Sequence, residues 1–130
     1  MAEISNYFAG KVLDHMLRNQ AFTPPTTVYV ALYTALPTAS TNGTEVSGGA
    51  YARQSATFGA ASNATIANTN DIAFPTATAD WGSIVGFALC DSGTTGGGNI
   101  LVFSALDINK SVVTGDQPHF PIGDLTVNIQ

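Results

Sequence analysis

The sequence predicts a mainly β protein, an antiparallel β-sandwich or jelly roll of about eight strands with one N-terminal amphipathic helix. Three observations carry this. Helical periodicity is confined to the first twenty residues. After it come short alternating segments separated by Gly, Asn, Asp and Pro turns at intervals of about ten residues. Only 10% of the 130 residues are charged while 45% are hydrophobic. Thr, Ser, Asn and Gly must therefore form much of the surface, where typical soluble domains have roughly a quarter of their residues charged. A chain of this length buries roughly two thirds of the surface its unfolded form exposes, which is enough for one core without staples. The expected organisation is a single domain over 1–130, with the helix in 1–20 and the sandwich in 26–130.

In chain order, Ile4, Phe8, Val12, Leu13, Met16 and Leu17 recur at spacings of three and four and form one apolar stripe, with Glu3, Lys11, Asp14 and Arg18 mainly off it. Ser5 or Asn6 caps the start, and Asn19 with the Pro24-Pro25 pair ends the helix. The stripe either covers an open sheet face or docks a partner, with Tyr7, Phe8 and Met16 as its candidate contacts. TTVYVALYT at 26–34 alternates as a strand that is apolar on both faces, which predicts a central strand or one covered by the helix. The loop LPTASTNGTEVSGGA that follows is longer than the usual connection between elements, and such loops tend to be functional. Further strands are expected at 51–58, 64–67, 71–75, 81–91 and 99–106, with SVVTGDQPHF and DLTVNIQ closing the chain.

Composition excludes several function classes. Lys11, Arg18, Arg53 and Lys110 are scattered among nine acidic residues, for a net charge of −5. Phosphate neutralisation needs clustered cations, so nucleic acid is not an expected partner. No run approaches the ~18 apolar residues of a membrane span. No basic region precedes an apolar block at the N-terminus, so neither a membrane anchor nor a secretory signal is expected. Cys90, alone in the run IVGFALC, reads as a small core residue rather than a ligand or nucleophile.

No catalytic set emerges. His15 and His119 are the only bases of suitable pKa, and each lacks a nearby nucleophile or ligand cluster. Asp71, Asp80, Asp91, Asp107, Asp116 and Asp124 fall near turns, where Asp is an ordinary capping residue. GTTGGGN at 93–99 lacks the Lys-Ser/Thr of a phosphate loop and reads as a hairpin connection. Trp81 opens the strongest strand and is expected in the core. No enzyme activity, cofactor or metal is predicted.

ALYTALPT, then GTEVSGGAYARQ with Phe58 shortly after, then FPTATADWGSIVGFALCD, a Gly-rich turn and a final strand resemble a group of small proteins encoded in the structural-gene regions of tailed bacteriophages. The resemblance runs from about Tyr7 to Ile129 and rests on the combination of GTEVSGG-YAR with ATADWG. Members are often labelled tail fibre proteins, and similar small sandwich proteins serve as head decoration, or cement, subunits. It implies a non-enzymatic virion component made in the host cytoplasm, and it brings no catalytic residues. What it maps is structural: Tyr51 and Arg53 after the loop, Trp81 and Gly82 at the start of the strong strand.

The favoured expectation is a decoration subunit on the capsid surface, a homotrimer that bridges copies of the major capsid protein, because neither a fibre shaft nor an anchoring segment is visible. The alternative is a tail or tail-fibre-associated protein that binds a neighbouring tail protein or a host surface glycan through Trp81, Tyr33 and the 35–50 loop. Under either, the expected partner contacts are Tyr7, Phe8 and Met16 on the helix, and Glu45, Val46, Tyr51 and Arg53 around the loop.

Overall fold

The computed structural model describes residues 3–128. Its elements are β1 (Glu3–Ile4), α1 (Asn6–Leu17), β2 (Val28–Ala35), β3 (Thr44–Glu45), β4 (Gln54–Ala56), β5 (Thr65–Ala67), β6 (Ile72–Ala73), β7 (Gly82–Cys90), β8 (Ile100–Val112), β9 (His119–Phe120) and β10 (Thr126–Asn128). Ile129 and Gln130, expected in the last strand, and Met1 and Ala2 of the N-terminal segment lie outside the described residues.

The strands pair antiparallel throughout. β2, β7 and β8 form the centre of a six-stranded sheet ordered β1-β8-β7-β2-β3, with β4 also paired to β2. Two separate two-stranded ribbons, β5 with β10 and β6 with β9, complete the pairing of these strands. The expected antiparallel, mainly β architecture with one helix near the N-terminus is thus present. Outside the six-stranded sheet the strands form two ribbons rather than one continuous sheet, because β5, β6, β9 and β10 are each only two or three residues long.

The alternation read in 26–34 maps directly onto the two faces of β2. Val30 and Leu32 enter the main core with Ile72, Phe74, Phe87 and Leu125. Ala31 and Tyr33 enter a smaller cluster on the opposite face with Ala88, Cys90 and Phe103. Strand β2 is central, as its two apolar faces predict; the helix does not cover it. In the main core Tyr51 stacks on Phe74 at 6.1 Å between ring centroids and meets Trp81 edge-on at 5.3 Å. Offset-stacked and edge-on pairs are the arrangements that aromatic quadrupoles favour. Trp81 is buried and its Nε1–H donates to the Gly49 carbonyl at 2.8 Å. A Cβ on Gly49 would fall 2.8 Å from that indole nitrogen, and the residue's φ of +59° is left-handed. This position requires glycine.

Asn68 joins the ribbons to their neighbours. Buried, it donates through Nδ2 to the Asn70 and Pro121 carbonyls and accepts the Leu125 N–H at Oδ1. Its amide thereby substitutes for missing ladder bonds where short ribbons end.

The β7–β8 ladder contains a large excursion. Ile84 pairs with Lys110 and Gly86 with Ala105, so residues 106–109 leave the ladder opposite a single residue of β7. It is an enlarged form of the bulge by which one strand carries extra residues against its partner. Strand β8 consequently runs to Val112, well past the expected end at 106. Ile108 stands on the excursion, 83% exposed.

Candidate functional site

Two regions contain the seven predicted contact residues, and they differ in kind. Around the long loop, Glu45 on β3 sits opposite Tyr33 of β2 in the ladder, and so on the sheet's smaller-core face. Arg53 approaches from the start of β4. Its Nη2 donates to Glu45 Oε1 at 2.7 Å and its Nε to Oε2 at 2.8 Å. The side chains of this two-pronged pair are only 2% and 9% exposed. Such a fork is the strong geometry for an arginine and a carboxylate. Arg53 Nη1 donates further to the carbonyls of Ser92 and Gly97, at 2.8 and 2.9 Å, and Glu45 Oε1 accepts the Gly96 N–H at 2.9 Å. The glycine run at 93–99 is the β7–β8 connection, as expected, and one buried ion pair holds it down on the sheet.

Tyr51 ties this clamp to the main core. Its hydroxyl accepts the Leu32 N–H at 3.0 Å and donates to Glu45 Oε2 at 2.6 Å. Burial pushes the Glu45 carboxyl up, but hydrogen bonds from Arg53, Tyr51 and Gly96 outweigh burial and hold it below the usual carboxylate range. Burial, reinforced by the Glu45 carboxylate, pushes the Tyr51 hydroxyl well above its ordinary value. Burial likewise raises Tyr33, and it pushes the Cys90 thiol up to about 11, the neutral state expected of a core cysteine.

Val46, Tyr51 and Arg53 are therefore buried within the chain, and Glu45 spends both carboxylate oxygens on internal donors. Glu45 on β3 and Arg53 just before β4, two short strands that share one edge of β2, satisfy each other, which removes the main cost of burying either. The surface above them is made by Asn42, Gly43 and Gly96–Gly98, and it continues past Thr38–Thr41 and Asn99 to Asn6 and Tyr7 at the helix start. Trp81 lies in the main core, as expected of it, and Tyr33 is buried in the smaller one.

The helix behaves in the opposite way. Ser5 caps it, with its Oγ accepting the Phe8 N–H at 3.1 Å while donating to the Ile100 carbonyl. Asn6 N–H donates to Ala39 O, and Asn19, at φ +55°, follows its C-terminal end. Of the predicted stripe, Phe8 and Ile4 pack against the main core, and Ile4 does so from β1 rather than from the helix. The remainder points outward: Leu13 is 57%, Met16 70% and Leu17 78% exposed. Every residue of α1 is half-buried or exposed. Periodicity identifies the stripe correctly; that most of it stays uncovered is a property of the fold.

His15 lies on the last turn of α1, and His119 stands apart from both regions. His15 Nδ1 is 3.0 Å from Gln20 O, and His119 Nδ1 is 3.0 Å from Asp71 Oδ1, both at the surface. Several aspartates cap turns: Asp91 accepts the Asn99 N–H, Asp80 that of Thr114, and Asp116 that of Val113. Among the described residues no group of three or more His, Cys, Asp or Glu is placed to hold a metal ion, and no helix is long and apolar enough to cross a membrane.

The family model for Podophage GP4 fiber I protein gp80 matches residues 3–128, nearly the full sequence. The chain belongs to this family. It is thereby a phage virion structural protein, and the resemblance read from GTEVSGG-YAR and ATADWG is supported at that level. No curated protein matches the chain. In the fold, the two halves of that signature meet physically, because Gly49 and Tyr51 of the first contact Trp81 of the second.

Proposed function

We propose that this protein is a non-enzymatic, fibre-associated component of a phage tail, attached to a neighbouring tail protein. The match of residues 3–128 to a fibre-protein family carries the reading. It shifts the balance from capsid decoration, which the compactness of the chain favours, to the tail. The arrangement of side chains supports an assembly role: the buried charges stabilise the sheet and a loop, while α1 presents Leu13, Met16 and Leu17 to solvent. Exposed apolar residues grouped on one face mark interaction surfaces.

Imaging of purified particles carrying a label at the C-terminus tests this. Label concentrated at the tail, with a copy number set by the tail's own symmetry, is the expected result. Label spread over the head at a copy number that follows the capsid lattice would overturn it in favour of decoration.

A further inference from the structure

The loop between β2 and β3 contains Asn42–Gly43, and Asn42 alone of the chain's nine asparagines is followed by glycine. Asn42 is exposed, and among the described residues neither its carboxamide nor the Gly43 N–H makes a hydrogen bond. The fold imposes the glycine. Its φ is +64°, and a Cβ there would fall 2.5 Å from the Ala35 carbonyl oxygen and 2.6 Å from the Pro37 nitrogen. Glycine is the neighbour that leaves an asparagine most reactive toward its own main chain, because no side chain shields the nitrogen that follows.

Asn42 also stands where a change has consequences. It lines a small cavity of about 130 Å³ together with Tyr33, Glu45, Arg53 and Gly96–Gly98. Only Gly43 and Thr44 separate it from Glu45, whose carboxylate receives the donors of Arg53, Tyr51 and Gly96. Strand β3, which carries that carboxylate, is two residues long and pairs with β2 across an irregular register. A displacement of the main chain at 42 therefore passes directly to the clamp.

We propose that Asn42–Gly43 is a self-modifying site whose conversion to isoaspartate loosens the Glu45–Arg53 clamp. The Gly43 nitrogen gives up its proton and attacks Asn42 Cγ; the new N–C bond closes a succinimide ring, and the carboxamide nitrogen leaves as ammonia. Water then adds to one of the two ring carbonyls. Breaking the bond from nitrogen to Cγ gives aspartate on an unaltered main chain, whereas breaking the bond from nitrogen to the Asn42 carbonyl carbon gives isoaspartate, with the main chain routed through Cγ. Nothing is oxidised or reduced: ammonia is lost, water is gained, and one negative charge is added to a chain already at −5. The isoaspartyl form inserts a carbon into the main chain beside Gly43, where the backbone of Ala35, Leu36 and Pro37 leaves no room. Strand β3 shifts to absorb it, and Glu45 shifts with β3. The loss of ammonia makes the change one-way, so it separates old copies from new. It goes beyond the tail assignment and does not depend on it.

Ageing of the purified full chain in mildly alkaline buffer, followed by peptide mass mapping, tests the proposal. The peptide containing Asn42 should gain the mass of an amide-to-acid exchange before any other asparagine peptide does, and it should become a substrate for enzymatic methylation of isoaspartyl carboxylates. Asn42→Gln, whose longer side chain closes a ring far more slowly, should stay unmodified at this position. Thiol labelling of the buried Cys90 should be about tenfold faster in aged than in fresh wild type, because local opening exposes it. Freshly made Asn42→Asp carries the charge without the extra carbon and should label like fresh wild type. A folded chain that remains unmodified while a peptide of residues 38–47 converts fully overturns the site. Aged protein rich in isoaspartate that labels no faster than Asn42→Asp overturns its effect on the clamp.

Discussion

The clamp at Glu45–Arg53 and the ridge on α1 each reverse the ordinary rule for their residue types. The clamp takes charged side chains out of water and satisfies them with hydrogen bonds drawn from separate segments of chain: β3, the start of β4 and the β7–β8 connection. The ridge leaves large apolar side chains in water on a helix tied down near its first turn. The contrast teaches that residue type does not decide burial here. A charge with partners in other segments of the chain is drawn inward, whereas an apolar residue beyond the edge of the sheet has little of its own chain to cover it.

The clamp is where this contrast breaks most severely. Arg53→Met leaves the Glu45 carboxylate and the Ser92 and Gly97 carbonyls short of donors. Removing one member of a buried pair costs about 3–5 kcal/mol. Equilibrium denaturation should show a loss of that size, and accelerated thiol labelling of Cys90, at the foot of the same connection, should accompany it. An effect within about 0.5 kcal/mol, the usual size at an unconstrained surface site, would mean the pair is a surface feature after all.

Acid weakens the clamp more gradually. The folded Glu45 pKa lies below its unfolded value. Its stabilisation is therefore complete above the unfolded pKa of about 4.3 and is lost as pH falls through the folded one. Urea midpoints at about pH 6 and about pH 3 should lie farther apart for wild type than for Glu45→Gln, which has no proton to take up. Parallel profiles for the two chains would remove Glu45 from the acid response.

On the helix side the effects shrink. Ser5→Ala removes the cap and its link to Ile100. It should cost about 1 kcal/mol, with a loss of helical ellipticity. Smallest per site is the effect expected on single-chain stability from Leu13→Ser with Met16→Ser and Leu17→Ser, since all three side chains are exposed. Each site should contribute about 0.5 kcal/mol or less. Attachment to the particle should nonetheless fall. These substitutions isolate the ridge better than deletion of the N-terminus, since residues 3–5 also provide β1 and the cap. A large loss of single-chain stability would show that the ridge covers the core.

Short-range physics is written plainly in the chain. The three-four spacing and Ser5 mark α1, the alternation of Val30, Ala31, Leu32 and Tyr33 marks a strand buried on both faces, and the glycine run marks the β7–β8 turn. A signal for the clamp is also present, since Glu45 and Arg53 are opposite charges eight residues apart in a chain that has few. Its inward direction depends on register, which places Glu45 opposite Tyr33 and so on a covered face. The Leu106–Asn109 excursion leaves no such mark, because those residues continue a strand-like pattern and leave the ladder only through their pairing with β7. Local sequence thus determined which segments become helix and strand, through backbone sterics and side-chain period. Which faces end up covered, and hence which residues remain free to meet another protein, was decided by long-range strand pairing, because burial is a property of neighbours that are distant in the chain.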